Sequence, residues 1–169
     1  MQQILGAMSK PVDNSARKID SFDRAILRIL QKDNKTPQRK IAEAVNLSAA
    51  AVQRRVAAME GAGVITRNVA LVDPYAIPLT ITSIVEVRLH DERVATVDAA
   101  KALFRGTPEV QQCYYVTGGI SFVLVIVTSD MRAYEVLTRR LFAENEYIES
   151  YRSLIALDRV KADTSIIVP

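Results

Sequence analysis

The sequence predicts an α+β chain, with an N-terminal winged helix-turn-helix domain followed by a C-terminal ferredoxin-like βαββαβ sandwich. Three observations predict it. Two amphipathic helical stretches in the first third are joined by the tight polar turn Asn46-Leu47-Ser48, and the second carries arginines outward. The rear half alternates between apolar periods of two and 3.6 in the order strand, helix, strand, strand, helix, strand. Charge is also uneven: residues 1–78 hold 12 Lys/Arg against 7 Asp/Glu, whereas residues 79–169 hold 10 against 12. A basic front half and a mildly acidic rear half place polyanion binding at one end of the chain.

Element by element, Met1–Lys18 shows no periodicity and reads as a flexible tail. Residues 19–72 form the helix-turn-helix domain. Its first helix is expected from Ser21 to Lys32, with Phe22, Ile26, Ile29 and Leu30 on one apolar stripe. Thr36 as N-cap and Pro37 at the first helical position open the second, which buries Ile41, Ala42 and Val45. Asn46 suits the left-handed turn that follows. Ser48 caps the third helix, whose core face is Val52, Val56 and Met59 and which ends at Gly61 and Gly63. Val64–Val72 is strand-like, and residues 73–79 form a linker stiffened by Pro74 and Pro78.

Residues 80–169 form the sandwich. Thr80–His90 alternates, with Ile81, Val85, Val87 and Leu89 on one face. Arg93–Phe104 is helical, with Val94, Val97, Ala100 and Phe104 inward. Strands follow at Val110–Thr117 and Ile120–Thr128, joined by a Gly118-Gly119 turn. Asp130–Phe142 is a helix with Met131, Tyr134, Leu137 and Leu141 inward, and Ile148–Val160 is the last strand. The run Phe122–Val127 is apolar on both faces, so the face of the sheet away from the helices is expected to be covered. The cover is a second copy of the sheet, giving a two-fold dimer, or the N-terminal domain.

Composition narrows the function classes. The chain's 169 residues suffice for a sizeable core. Its longest apolar run falls far short of the roughly 20 residues that cross a bilayer. No secretory signal is visible, because Lys10, Arg17 and Lys18 follow the apolar residues of the N-terminus instead of preceding them. The single cysteine, Cys113, excludes an internal disulfide and fits a reducing, cytoplasmic setting; within its strand it is expected to be buried and inert. One His and one Cys cannot supply a usual metal set, and His90 reads as ordinary surface. No nucleophile–base pair and no cofactor motif is visible, so an enzyme is not expected. The strands lack the exposed aromatic pattern of an RNA-binding sheet.

For double-stranded DNA, the expected contacts are Ser48, Ala50, Gln53 and Arg54 at the start of the third helix. Arg54 can pair bidentately with guanine and Gln53 with adenine. Ala50 allows close approach, and Ser48 with the backbone N–H groups around it can hold a phosphate. Gln38, Arg39 and Lys40 sit where backbone contacts set register, and Arg67 on the following segment can do the same. The competing reading is a solvated helix face. Arg55, at the margin of the core face, either joins the DNA contacts or closes the domain by pairing with a carboxylate.

These stretches resemble the leucine-responsive / asparagine-synthase-C-type transcriptional regulators of prokaryotes, the Lrp/AsnC family. The resemblance runs from Ile19 to the C-terminus. It is carried by Ile19–Leu27, Ile41–Ser48, Val52–Val56, Met59–Ile65 and Tyr114–Gly118, in that order and spacing. It implies a cytoplasmic, nucleoid-associated, sequence-specific regulator that forms a dimer and then a larger assembly, often an octamer. It also implies an effector, usually an amino acid, near the Gly118 loop, with Tyr115, Gly118, Gly119, Ser121 and Ala143 as contacts. A paired-glycine turn can offer backbone N–H groups to a carboxylate, or can be a plain β-turn. Many family members carry an acidic residue three places after the glycine matching Gly118; here it is Ser121, as in the asparagine-responsive branch. The alternative function is an architectural DNA-wrapping protein without an effector.

Overall fold

The computed structural model describes residues 17–78 and 81–169, which form two compact units. The expected tail over residues 1–18 therefore lies outside the described residues except for Arg17 and Lys18. One unit comprises the chain up to Ala70 together with Asp163–Pro169; the other is Leu71–Ala162.

The first unit holds three helices: α1 (Ser21–Lys32), α2 (Gln38–Val45) and α3 (Ala49–Gly61). A capping box opens α1: Asp23 N–H donates to Asp20 Oδ1 (2.8 Å) and Asp20 N–H donates to Asp23 Oδ2 (3.3 Å). Pro37, not Thr36, occupies the cap position of α2. Its carbonyl accepts the first helical bond from Ile41 N–H, while the Thr36 hydroxyl turns back to Asp33 O. Asn46 adopts φ 55°, ψ 46°, which lets α3 turn away at once. The Ser48 hydroxyl accepts from Ala51 N–H and caps α3. Gly61 is the last helical residue, and Gly63 closes the turn that follows. At φ +72° it permits the paired closing bonds Val64 N–H to Met59 O and Gly63 N–H to Glu60 O.

Ile26, Ile41, Ala42, Val45, Val52 and Met59 form the core of this unit. Phe22 does not join it; the side chain is 41% exposed, with the Arg55 guanidinium 5.4 Å over its ring. The expected wing strand over Val64–Val72 is also not formed. Val64 and Ile65 pack on the core, but the rest is extended without a ladder and leaves Val69, Leu71 and Val72 exposed. A lone extended segment has no second strand to satisfy its backbone groups. At the other end of the sequence, Gln31 grips the backbone of Ile166 with both amide atoms (3.0 and 2.8 Å), and Arg28 Nε donates to Val168 O.

The second unit is a four-stranded antiparallel sheet in the order β2-β3-β1-β4, with two helices on one face. The elements are β1 (Ile81–Leu89), α4 (Val94–Arg105), β2 (Val110–Tyr115), β3 (Phe122–Thr128), α5 (Met131–Thr138) with a π-helical turn at Arg139–Ala143, and β4 (Ile148–Ile155). Register places Val85 opposite Leu124 and Val87 opposite Phe122 on the helix side. There they meet Val97, Ala100 and Phe104 of α4 and Tyr134, Leu137, Leu141 and Phe142 of the last helix. Phe104 packs edge-on to Phe122 at 5.3 Å.

Two expected core residues face solvent. Val94, in the first turn of α4, is 77% exposed and Met131, in the first turn of α5, is 53% exposed. Each helix begins before it reaches the sheet. The π-helical turn adds a residue to the helical repeat, so Phe142 enters the core beside Leu141. β4 stops at Ile155, five residues short of the expected end; its last ladder pair with β1 is Ser83–Ile155, followed by a single bond from Ala156 N–H to Thr82 O (2.9 Å). On the open face, Ile84 lies opposite both Val125 and Leu154, and Glu86 is paired to Arg152 at 2.7 Å.

Phe104 lies at the centre of this core with no exposed surface. Phe104→Ala is expected to destabilise the protein by about 3–5 kcal/mol, read as a lower urea midpoint.

Candidate DNA interface and ligand site

The outward face of α3 is built by what its inward face must do. Val52 and Met59 are buried, so Ala50 and Arg54 on the opposite side of the helix, with Gln53 beside them, are exposed. Ser48 is exposed at the head of the helix. Gln38, Arg39 and Lys40 are exposed along the first turn of α2, where Arg39 also pairs with Glu43 four residues on (3.1 Å). Among the described residues, Gln53, Arg54 and Lys40 have no intramolecular hydrogen-bond or ion-pair partner. Arg67 is exposed on the extended segment after α3.

Arg55 is not on that face; of its two expected roles, the structure forms the pairing with carboxylates. Its Nη1 lies 2.8 Å from Asp23 Oδ1 and 2.7 Å from Asp20 Oδ2. Arg17 holds Asp23 from the other side at 3.0–3.1 Å and donates to the Arg55 carbonyl. The Asp23 side chain is only 1% exposed. A carboxylate taken from water needs cations and donors, and Arg55 is the helix residue within reach. The Asp23 backbone N–H and then Arg55 lower the Asp20 pKa, while Asp20 and Asp23 together raise that of Arg55.

The second candidate site surrounds the loop between β2 and β3. Gly118 and Gly119 both take positive φ, +110° and +89°. That geometry suits glycine. Tyr115 packs on Phe122 (5.1 Å), with Lys101 Nζ 4.9 Å from its ring centroid. Its hydroxyl donates to Glu92 Oε2 at 2.7 Å. Ser121 is buried, 1% exposed. Its hydroxyl accepts from Leu89 N–H (3.0 Å) and donates to Glu92 Oε1 (2.5 Å). These two hydroxyls, Ser121 first, hold the Glu92 pKa below the ordinary carboxylate value, and Glu92 raises that of Tyr115.

Sequence reasoning missed Glu92. It sits in the loop after β1, 29 residues from Ser121, and no local motif marks it. Ala143 lies exposed on the π-helical turn, and no hydrogen bond or ring contact among the described residues ties it to the Gly118 loop. Cys113 is exposed on the edge strand β2 rather than buried, although partial burial of its thiol raises its pKa. His90 is exposed. Among the described residues no cluster could hold a metal, and no helix is long and apolar enough to cross a membrane.

Comparison with known proteins agrees with both halves. Residues 19–60 match the AsnC-type helix-turn-helix domain, and residues 82–166 match the Lrp/AsnC ligand binding domain. An HTH-type transcriptional regulator of Sinorhizobium fredii is 40% identical over 151 residues, covering 89% of each chain. Among solved structures, an AsnC family transcriptional regulator from Agrobacterium tumefaciens superposes with a TM-score of 0.81 at 32% identity, covering 88% of this chain and 96% of that one. A transcriptional regulator from Neisseria meningitidis, solved in complex with L-methionine, superposes with a TM-score of 0.80 at 26% identity, covering 89% and 97%.

Two outcomes are expected. Arg55→Leu leaves Asp23 short of a cation and lowers the melting temperature by several degrees, whereas Arg54→Ala leaves it unchanged. Ser121→Ala removes the larger cause of the Glu92 shift, so the Glu92 carboxylate titrates at higher pH in a carbon-13 NMR titration. The sign follows from the lowered pKa: the stability Glu92 contributes is present above the ordinary carboxylate value and is lost as pH falls through the lower folded one.

Proposed function

The chain belongs to the Lrp/AsnC family of transcriptional regulators, and we propose that it binds its operators through α3 and answers to an amino acid at the Gly118 loop. The observation that carries the DNA reading is the contrast between neighbours on one helix. Arg55 is locked inward by two aspartates, while Arg54 and Gln53 project outward with no partner among the described residues. An arginine and a glutamine one residue apart at the head of a capped helix can read guanine and adenine edges in the major groove. Ser48 and the N–H groups at the start of α3 take a phosphate; Gln38, Arg39, Lys40 and Arg67 set register on the backbone.

The amino-acid reading is supported by the match of residues 82–166 to a ligand binding domain and by the L-methionine complex of the Neisseria meningitidis relative. The protein acts in the cytoplasm as a homo-oligomer. Two copies pair through the open sheet face, burying Ile84, Val123, Val125 and Leu154. Further assembly to an octamer follows the family pattern.

Binding of the purified protein to DNA from upstream of its own gene, across a salt series with random DNA as competitor, tests this. Competitor-resistant binding with a steep negative salt slope is expected from a regulator making several phosphate contacts. Equal affinity for both DNAs would instead mark an architectural wrapping protein. Arg54→Ala is expected to cost about 1–3 kcal/mol of discrimination at one base pair and to leave the oligomer intact.

A further inference from the structure

We infer that Glu92 is the carboxylate that receives the ammonium group of the effector, set in place by Ser121 and Tyr115, so that the site selects amino acids over simple carboxylic acids. The inference rests on the amino-acid reading of the Gly118 loop given above.

The first support is the company Glu92 keeps. Asp20, Asp23 and Glu86 all face arginines at salt-bridge distance. Glu92 faces two neutral hydroxyls and, among the described residues, no cation at that distance. The one charged group that acts on its pKa is another acid, Asp91, which raises it. Each carboxylate oxygen accepts one hydroxyl, whereas an ionised carboxylate offers about four acceptor positions. Glu92 is exposed, so an anion with spare acceptor capacity and no counter-charge faces solvent.

The second support is what lies beside it. Ser121 and Tyr115 each sit three residues from Gly118, and both are bonded to Glu92. Among the described residues, the Gly118 and Gly119 amides have no hydrogen-bond partner, and Arg88 Nη2 lies 3.9 Å from where a Gly119 side chain would begin. Free N–H groups suit a carboxylate, with the Arg88 guanidinium nearby although its Nε also faces Glu149 at 3.8 Å, and Glu92 suits an ammonium. Donors and an anion around one loop are the complement of a zwitterion.

The third support is the residue at 121. An aspartate there would place a second carboxylate in the buried position from which Ser121 reaches Glu92 at 2.5 Å. Two carboxylates at that distance cannot both stay ionised. A hydroxyl at 121 therefore lets the acid at 92 stay ionised.

The test uses the full chain. Calorimetry with the twenty proteinogenic L-amino acids identifies the tightest binder, and its analogue lacking the α-amino group serves as control. Glu92→Gln, which keeps the side-chain shape and an acceptor oxygen, is expected to weaken the amino acid about tenfold or more, while both proteins bind the des-amino analogue equally. Ser121→Asp is expected to weaken the amino acid similarly, and Ser121→Asp with Glu92→Ser together to restore affinity to within about threefold by returning a single negative charge. The double variant keeps the test decisive if Glu92→Gln folds poorly. Amino-acid binding by Glu92→Gln at wild-type affinity would overturn the role of Glu92 and leave the amino-acid reading standing. Wild-type protein that binds none of the twenty would overturn that reading and this inference with it.

Discussion

A carboxylate as deeply buried as that of Asp23 obliges the N-terminal unit to bring cations to it, and both come from outside α1: Arg17 from the preceding segment and Arg55 from α3. The bidentate Arg17 contact and the shared Arg55 nitrogen fix the rotation of α3 about its axis as well as its distance from α1. Successive helical residues point about 100° apart. Once Arg55 is turned toward α1, Arg54 must face away. One buried charge therefore sets the presentation of the recognition surface, and the Ser48 cap and the left-handed Asn46 fix where that helix begins.

The second unit uses charge in the opposite way. Its core is apolar and aromatic, and its sheet carries exposed ion pairs such as Glu86–Arg152 that are worth little individually. At the Gly118 loop, the Glu92 carboxylate is held by two hydroxyls and, among the described residues, has no cation at salt-bridge distance. Hydroxyls position Glu92 without neutralising it, which keeps its charge available.

Much of this was legible in the sequence because the signals are local. The Ser48 cap, the left-handed Asn46 and the period-two alternation around Val85, Val87 and Leu89 each depend on a few neighbouring residues, and helix α1 has the limits its stripe indicates. Phe22, Val94 and Met131 carry the right spacing yet stand exposed, because periodicity fixes direction but not whether anything lies opposite. The wing strand had β-branched residues but no ladder partner, and pairing is a non-local property. The π-helical turn displaced the inward stripe to Phe142. Glu92 had no signal at all: its partners are hydroxyls 23 and 29 residues away that only the fold brings together. Arg55 was legible as a choice between two roles, and the burial of Asp23 decided it.

The most direct test of this account is amide hydrogen exchange on the full chain, free, with operator DNA, and with the amino acid it binds. DNA is expected to slow exchange in residues 48–54, at the head of α3, and in the first turn of α2, and the amino acid to slow it in residues 118–121 and around Glu92. DNA protection confined to the sheet unit, or amino-acid protection that leaves the Gly118 loop unchanged, would contradict this account.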